Sequence, residues 1–189
     1  MVLFRTLWKS SLVVLTTVAV SSCLSPPNFP STPSIEFKKL EVTRVVDNTG
    51  TYDNVAVTVS FKDGEGDLGL TEEQKTADSP YTRYLADGVT LNRNYYNYFI
   101  TPFVETSPGQ FEAVPLLDVR LPYDSTYPPL DPTNGKAAPL KGDLTFTTKI
   151  YADIDTPIKP GQNIRFEVSI MDRALHESNK ITTSAYHVE

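Results

Sequence analysis

Hydrophobic and polar residues alternate in several short segments of this chain, and this pattern constrains the fold more than any other feature. Residues 54–61 show it most clearly, with one face formed by Val55, Val57, Val59 and Phe61. A period of two is typical of a β-strand with one buried face, whereas a long amphipathic helix needs a period of 3.6, which the chain does not show. The sequence therefore predicts an all-β fold.

Further strand-like segments follow at a regular spacing. They are residues 35–46, 95–105, 111–114, 143–151, 164–170 and 179–188. Pro102 predicts that its strand lies at a sheet edge or carries a bulge, because proline has no N–H for the ladder. About seven strands at this spacing predict an antiparallel β-sandwich of the immunoglobulin or fibronectin type III kind, with a jelly roll as the alternative.

Two long segments, residues 62–94 and 115–142, lack a strand pattern, and the second is rich in proline. Loops of this length in a compact domain are usually functional or disordered. Residues 71–75 (TEEQK) predict a single helical turn inside the first segment.

Residues 1–22 have the composition of an export signal. Arg5 and Lys9 precede an apolar stretch at 12–20, which is shorter than the roughly 20 residues of a membrane-spanning helix. The chain continues to its one cysteine as VSSC at 20–23. This ending resembles the lipobox of bacterial lipoproteins, and the resemblance implies cleavage before Cys23 and acylation of that residue. The alternative is an ordinary cleaved signal with an incidental cysteine.

Residues 23–34 are predicted to be a lipidated cysteine followed by a proline-rich tether. Four prolines favour extended polyproline II, which would span roughly 30 Å at about 3.1 Å per residue. By analogy with bacterial sorting rules, Leu24 and Ser25 provide no acidic retention signal, which favours the outer membrane. The absence of an acidic run favours its periplasmic face over the cell surface. Residues 35–189 are then left as one β-sandwich domain.

The charge of the chain argues against nucleic acid as a partner. The 189 residues contain 17 Lys+Arg and 23 Asp+Glu, and removing the two basic residues of the signal changes the net charge from -6 to -8. Such a domain is repelled by a phosphate backbone. One cysteine excludes a disulfide scaffold and a Cys-rich zinc site.

The most specific internal motif is DGEGDLG at 63–69, which we call the acidic glycine loop. Its carboxylates, Asp63, Glu65 and Asp67, can present several oxygens to one hard cation such as Ca²⁺. A solvated acidic turn is the alternative, because Asp–Gly pairs form turns without metal.

The predicted topology adds Asp172 to this site. In a seven-strand sandwich the loops after the second and sixth strands lie at the same end, so Asp172 should lie near the acidic glycine loop. Clustered acids repel each other unless a cation or a basic side chain such as Arg173 neutralises them. The pattern favours a structural Ca²⁺ bound by Asp63, Glu65, Asp67 and Asp172, with no catalytic role.

Three stretches resemble uncharacterised outer-membrane lipoproteins of Bacteroidota. They are SFKDGEGDLGL, NYYNYF and FEVSIMDRALHESNKITT. In those proteins a DGDGDLG-like loop and a D-R-A-x-H-x-S-N-like hairpin occur in an immunoglobulin-like domain. The similarity covers most of residues 35–189, although Glu65 takes the place of the central aspartate. It implies a fold and a location, and no activity.

Tyrosines in the long segments suggest a binding surface. Tyr123 and Tyr127 lie among prolines, and aromatic rings exposed on loops can stack on glycans or contact proteins. Packing in the core is the alternative. A carbohydrate-binding accessory lipoprotein that uses these rings is therefore a second functional hypothesis.

Catalytic interpretations have little support. One predicted hairpin contains Asp172, His176 and Ser178, and nothing in the sequence orients them as a base and a nucleophile. A hydrolase that uses the acidic glycine loop is a third hypothesis.

We predict a non-catalytic envelope lipoprotein whose sandwich binds an envelope protein or a glycan, or assists assembly, with Ca²⁺ as a candidate structural cofactor.

Overall fold

The structure is a computed structural model that describes residues 27–48, 50–76, 79–116, 118, 122–130 and 137–189. The predicted signal peptide and Cys23 lie outside the described residues. Within the described part, no helix is long and apolar enough to span a bilayer.

Eight strands are found in the described part of the chain. They are β1 (Ser34–Asp47), β2 (Gly50–Asp63), β3 (Tyr98–Ser107), β4 (Gln110–Ala113), β5 (Leu140–Tyr151), β6 (Asn163–Ile170), β7 (Ile181–Thr182) and β8 (Tyr186–His187). Two 3₁₀ turns, Glu73–Lys75 and Arg93–Tyr95, lie between β2 and β3. The first of them confirms the helical turn predicted at 71–75.

The strands form two antiparallel sheets. One has the order β1-β2-β5, and the other has the order β4-β3-β6-β7, with β8 also paired to β6. The sheet of β1, β2 and β5 thus packs against the sheet that contains β3, β4, β6 and β7. This is the fibronectin type III arrangement of an immunoglobulin-like sandwich. The predicted antiparallel sandwich is confirmed.

The core lies between the sheets and is built by the alternating residues. On β2, Val55, Val57 and Val59 have no exposed surface. On β6, Phe166 and Ile170 are equally buried. Because successive side chains of a strand point to opposite faces, these residues of β2 all point into the core, whereas β3 and β6 also bury residues on their other face, such as Phe99 and Ser169.

Pro102 differs from its prediction, because β3 is an interior strand. The residue pairs with Phe166 in a register with β6 that shows no shift at this point. Its carbonyl oxygen accepts a hydrogen bond from the N–H of Val114 at 2.8 Å. The N and O atoms of one residue in an antiparallel strand point to the same side, so the missing N–H faces the β4 side, where the β3–β4 ladder ends at the neighbouring pair of Phe103 and Ala113. The ladder between β3 and β6 therefore loses no bond there.

The final predicted strand is divided into β7 and β8. Between them, Thr183 donates its N–H to the carbonyl oxygen of Phe166 at 2.9 Å. The hydroxyl of Thr183 accepts the N–H of Phe166 at 3.0 Å. A side chain thus replaces one backbone group of the ladder, which interrupts the regular strand.

The folded part begins before the predicted boundary at residue 35. β1 starts at Ser34, and Pro33 is buried. The carbonyl oxygen of Pro30 accepts a hydrogen bond from the N–H of Gly64 at 2.9 Å. The end of the proline-rich segment is therefore docked on the acidic glycine loop rather than free.

Candidate metal centre

The acidic glycine loop starts at the last residue of β2. Asp63 is completely buried, and its Oδ2 accepts the N–H of Gly66 at 2.5 Å and that of Asp67 at 3.1 Å. Gly66 has a φ of +67°, a region that residues with a Cβ enter only at a cost. This turn folds the loop back over the end of the strand and places Asp67 beside Asp63.

Asp172 reaches the same place from the other sheet, two residues after β6. Its side chain is completely buried. Its Oδ1 accepts the N–H of His176 at 2.7 Å, and its Oδ2 lies 3.0 Å from His176 Nδ1. A β-bridge joins Asp172 to Leu68, so the turn after β6 is held directly against the acidic glycine loop.

The three aspartates form one cluster. Asp63, Asp67 and Asp172 each place an oxygen within 4.8 Å of the other two. The Oδ1 atoms of Asp63 and Asp67 are buried and have no hydrogen-bond partner among the described residues. The predicted meeting of the loops after the second and sixth strands is confirmed.

Glu65 does not take the position expected of it. Its side chain is exposed, and it is not part of the cluster found among the described residues. Its carbonyl oxygen accepts the N–H of Ala138 at 3.1 Å. Because the backbone of this residue faces Ala138, its side chain points to solvent. The alternate spacing of the three acidic residues along the loop therefore does not place all three on the same side.

Burial sets the electrostatics of the cluster. It raises the pKa of Asp63, and the charges of Asp67 and Asp172 raise that pKa further, while the two N–H donors act in the opposite direction. Burial also raises the pKa of Asp172, with the hydrogen bonds from His176 opposing it. The ionised forms of these carboxylates are costly unless a positive charge lies close to them.

Tyr127 lies against the cluster, and of the two alternatives for this residue, an exposed ring or packing in the core, the structure shows packing. Only 3% of its surface is accessible, and its hydroxyl has no hydrogen-bond partner among the described residues. Burial raises the pKa of this phenol, and the charges of Asp63, Asp172 and Asp67 raise it further. Tyr127 therefore cannot stack on a glycan. Tyr123 is partly buried and packs against the core.

Asn97 explains the burial of Tyr127, and sequence reasoning missed this role. The Oδ1 of Asn97 accepts the N–H of Tyr127 at 2.9 Å, and its Nδ2 donates to the carbonyl oxygen at 3.1 Å. Asn97 is 1% exposed. Its amide thus fixes both backbone groups of a residue far away in the chain, and its position in a Tyr/Asn-rich stretch was the only signal.

Backbone hydrogen bonds tie the acidic glycine loop to the rest of its end of the sandwich. Besides the bond from Gly64 to Pro30, the N–H of Leu70 donates to the carbonyl oxygen of Tyr127 at 3.1 Å. The carbonyl oxygen of Asp67 accepts the N–H of Arg173 at 3.2 Å. Together with the bond from Ala138 to Glu65, these contacts tie the loop to four other segments, which its movement would disturb. We call this end of the sandwich, which contains the acidic glycine loop, Tyr127 and Asp172, the acidic end.

The Ser/His/Asp combination does not form a nucleophile and its base. His176 contacts Asp172, but the Oγ of Ser178 accepts the N–H of Ile170 at 3.0 Å. The same hydroxyl donates to the carbonyl oxygen of Asn179 at 2.8 Å. Ser178 is thus engaged with the backbone on both sides, and it connects β6 to the next segment.

Gly66→Ala is expected to lower the free energy of unfolding by about 2–3 kcal/mol. A Cβ at this position would lie 2.3 Å from the carbonyl oxygen of Ala138, at a φ of +67°. Gly88→Ala is the matched control, because Gly88 has a φ of +70° and a Cβ added there would meet nothing within 4 Å. Only the backbone cost of about 1 kcal/mol should then remain. Urea unfolding of the three proteins checks this, and equal losses would contradict it.

Comparison of the chain with protein-family profiles, with curated proteins and with solved structures finds no match in any of the three. The resemblance to Bacteroidota lipoproteins stays an expectation from the sequence motifs. The acidic end is therefore interpreted from its own chemistry. It has three carboxylates, two carboxylate oxygens without a hydrogen-bond partner among the described residues, and a buried phenol.

Proposed function

We propose that the chain is an outer-membrane lipoprotein whose β-sandwich is a non-catalytic binding or assembly module. The observation that carries the proposal is VSSC at 20–23, directly after a basic and then apolar stretch. Acylation of Cys23 would attach several acyl chains to one residue, and more than one chain is needed for stable anchoring. The domain would lie on the periplasmic face of the membrane.

Two features of the folded part support a role in binding rather than in catalysis. The hydroxyl of Ser178 is engaged with the backbone on both sides, which leaves it poorly placed as a nucleophile. The carbohydrate-binding alternative relied on two exposed rings, and Tyr127 is buried. An envelope protein is therefore preferred over a glycan as the partner.

Cys23→Ala is expected to move nearly all of the protein from the membrane fraction to the soluble fraction. The thiol and the new amino group of Cys23 are the acylation sites, so the variant should also lose incorporation of labelled palmitate. Fractionation of cells and metabolic labelling measure both effects. Because anchoring by several chains is effectively stable whereas an unlipidated domain has no such attachment, the difference should be close to complete.

Ser21→Ala is the control for this experiment. It keeps a small residue before the cysteine, so labelling and membrane attachment should remain at the wild-type level. Cys23→Ala protein that is still labelled and still sedimenting with membranes would rule out the proposed anchor.

A further inference from the structure

We propose that Asp63, Asp67 and Asp172 bind one Ca²⁺ ion at the acidic end. The three carboxylates place oxygens within 4.8 Å of one another. Two oxygens that coordinate the same Ca²⁺ at about 2.4 Å lie at most about 4.8 Å apart. The spacing of the aspartates is therefore compatible with a single ion, for which carbonyl oxygens or water would complete the 6–8 ligands that Ca²⁺ takes.

The unpartnered oxygens are an independent indication of a ligand. Asp63 has no exposed surface, and its Oδ1 has no hydrogen-bond partner within the described ranges. Its Oδ2, in contrast, accepts two N–H groups. Asp67 Oδ1 is also buried and unpartnered among those residues. Buried acceptors without partners are rare in native proteins because they lose water and gain nothing, and a cation supplies the missing interaction.

The ionised form of the cluster is stabilised by a cation or by a basic side chain. His176 contacts Asp172 through Oδ2, and this contact involves neither Asp63 nor Asp67. Arg173 is the competing source of positive charge, because the hydrogen bond from its backbone N–H to the carbonyl oxygen of Asp67 holds the residue beside the loop. The experiment below separates the two sources.

The ligand chemistry favours Ca²⁺ over other divalent cations. Zinc prefers nitrogen and sulfur ligands, while the cluster offers carboxylate oxygens. Magnesium binds at 2.0–2.1 Å with near-ideal octahedral geometry, which keeps its ligands within about 4.2 Å of one another. The oxygens of the cluster lie within 4.8 Å of one another, and Ca²⁺, which binds at about 2.3–2.6 Å in a flexible geometry, places fewer demands on their arrangement than Mg²⁺ does.

The bound ion would connect parts of the chain that are far apart in sequence. It would link the end of β2 to the turn after β6, and thus one sheet to the other. Through Gly64 it would also stabilise the docking of Pro30. Its role is therefore structural, and it is separate from the lipid anchor, so either proposal can fail without the other.

Calorimetric titration of CaCl₂ into the chelator-treated full chain, in detergent, tests the proposal. We expect one ion per chain, with a dissociation constant of about 10⁻⁴–10⁻³ M, as in extracellular modules. At a hundredfold excess over that constant, Tm should rise by about 5–10 °C relative to chelator. MgCl₂ at equal ionic strength should give a clearly smaller shift. No binding of Ca²⁺, or an equal shift with Mg²⁺, would overturn the proposal.

Variants identify the ligands. Asp63→Asn and Asp67→Asn should each abolish the Ca²⁺-dependent rise in Tm, and the second variant serves if the first does not fold. Glu65→Gln is the matched control, because it removes an exposed carboxylate from the same loop, and it should keep the full rise. Loss of the rise in Glu65→Gln, or its retention in Asp67→Asn, would overturn the assignment of the ligands.

Arg173→Gln distinguishes neutralisation by the cation from neutralisation by the guanidinium. If Ca²⁺ is the partner of the cluster, this variant should bind the ion with undiminished affinity. If the wild type shows no heat of binding and only Arg173→Gln acquires Ca²⁺ affinity, the guanidinium occupies the site, and the proposal is wrong.

Discussion

Phe166→Ala is expected to lower the free energy of unfolding by about 3–5 kcal/mol, the usual cost of removing a buried aromatic side chain. Phe166 has no exposed surface, and it lies on β6, which pairs with β3, β7 and β8. Its ring is stacked near that of Tyr186, with centroids 6.3 Å apart. The cavity left by alanine is surrounded by strands of both sheets, so it cannot close without moving the sandwich.

Phe111→Ala is the matched control for this prediction. Phe111 lies on the edge strand β4 and is only partly buried, with the guanidinium of Arg165 4.1 Å from its ring centroid. Its removal should cost about 1 kcal/mol, because the ring is only partly buried and lies outside the core. Urea unfolding with a shared m-value compares the two variants. Similar losses would mean that Phe166 is not central to the core.

Arg44→Met is expected to cost about 3 kcal/mol, because it leaves a buried charge without its partner. Asp53 is 2% exposed and lies opposite Arg44 in the β1–β2 ladder. Its Oδ1 accepts from Arg44 Nε at 2.7 Å, and its Oδ2 accepts from Nη2 at 3.1 Å. Tyr186 donates to the same Oδ2 at 3.3 Å, which is too little to compensate a buried carboxylate.

The double variant Arg44→Met with Asp53→Leu should recover most of this loss. Replacing both members of a buried ion pair by apolar residues is often neutral or even stabilising. A double-mutant cycle in urea measures the coupling between the two positions. A double variant less stable than Arg44→Met alone would show that the cost comes from lost packing of the arginine stem rather than from the unpaired charge.

The sequence predicted the strands well where the determinants were local. β2, β5 and β6 alternate strictly enough for the period of two to locate them, because a one-residue slip would expose every core side chain. The break between β7 and β8 was not predicted, since it depends on a hydrogen bond between Thr183 and Phe166. Such a contact forms only after the strands have met, and the local sequence pattern does not predict it.

The acidic cluster was predictable for a topological reason. Asp63 is the last residue of the second strand, and Asp172 lies two residues after the sixth. Both strands end on the same side of the sandwich, so the meeting of these residues follows from strand order. The position of Glu65 was predicted wrongly, and that of Tyr127 was left open, because distant partners set the orientation of both residues. Asn97 is 30 residues from Tyr127, and Ala138 is still farther from Glu65. Local composition carries no information about such contacts.

The docking of Pro30 on Gly64 has a consequence for the orientation of the molecule. Pro30 follows Cys23 by only seven positions, a distance of about 22 Å if this stretch is fully extended as polyproline II. With Cys23 in the membrane as proposed, the acidic end would face the bilayer at close range. The turn between β3 and β4 lies at the opposite end and would point away from the lipid. A partner anchored in the same membrane would thus meet the acidic end, whereas one arriving from the aqueous side would meet the β3–β4 turn.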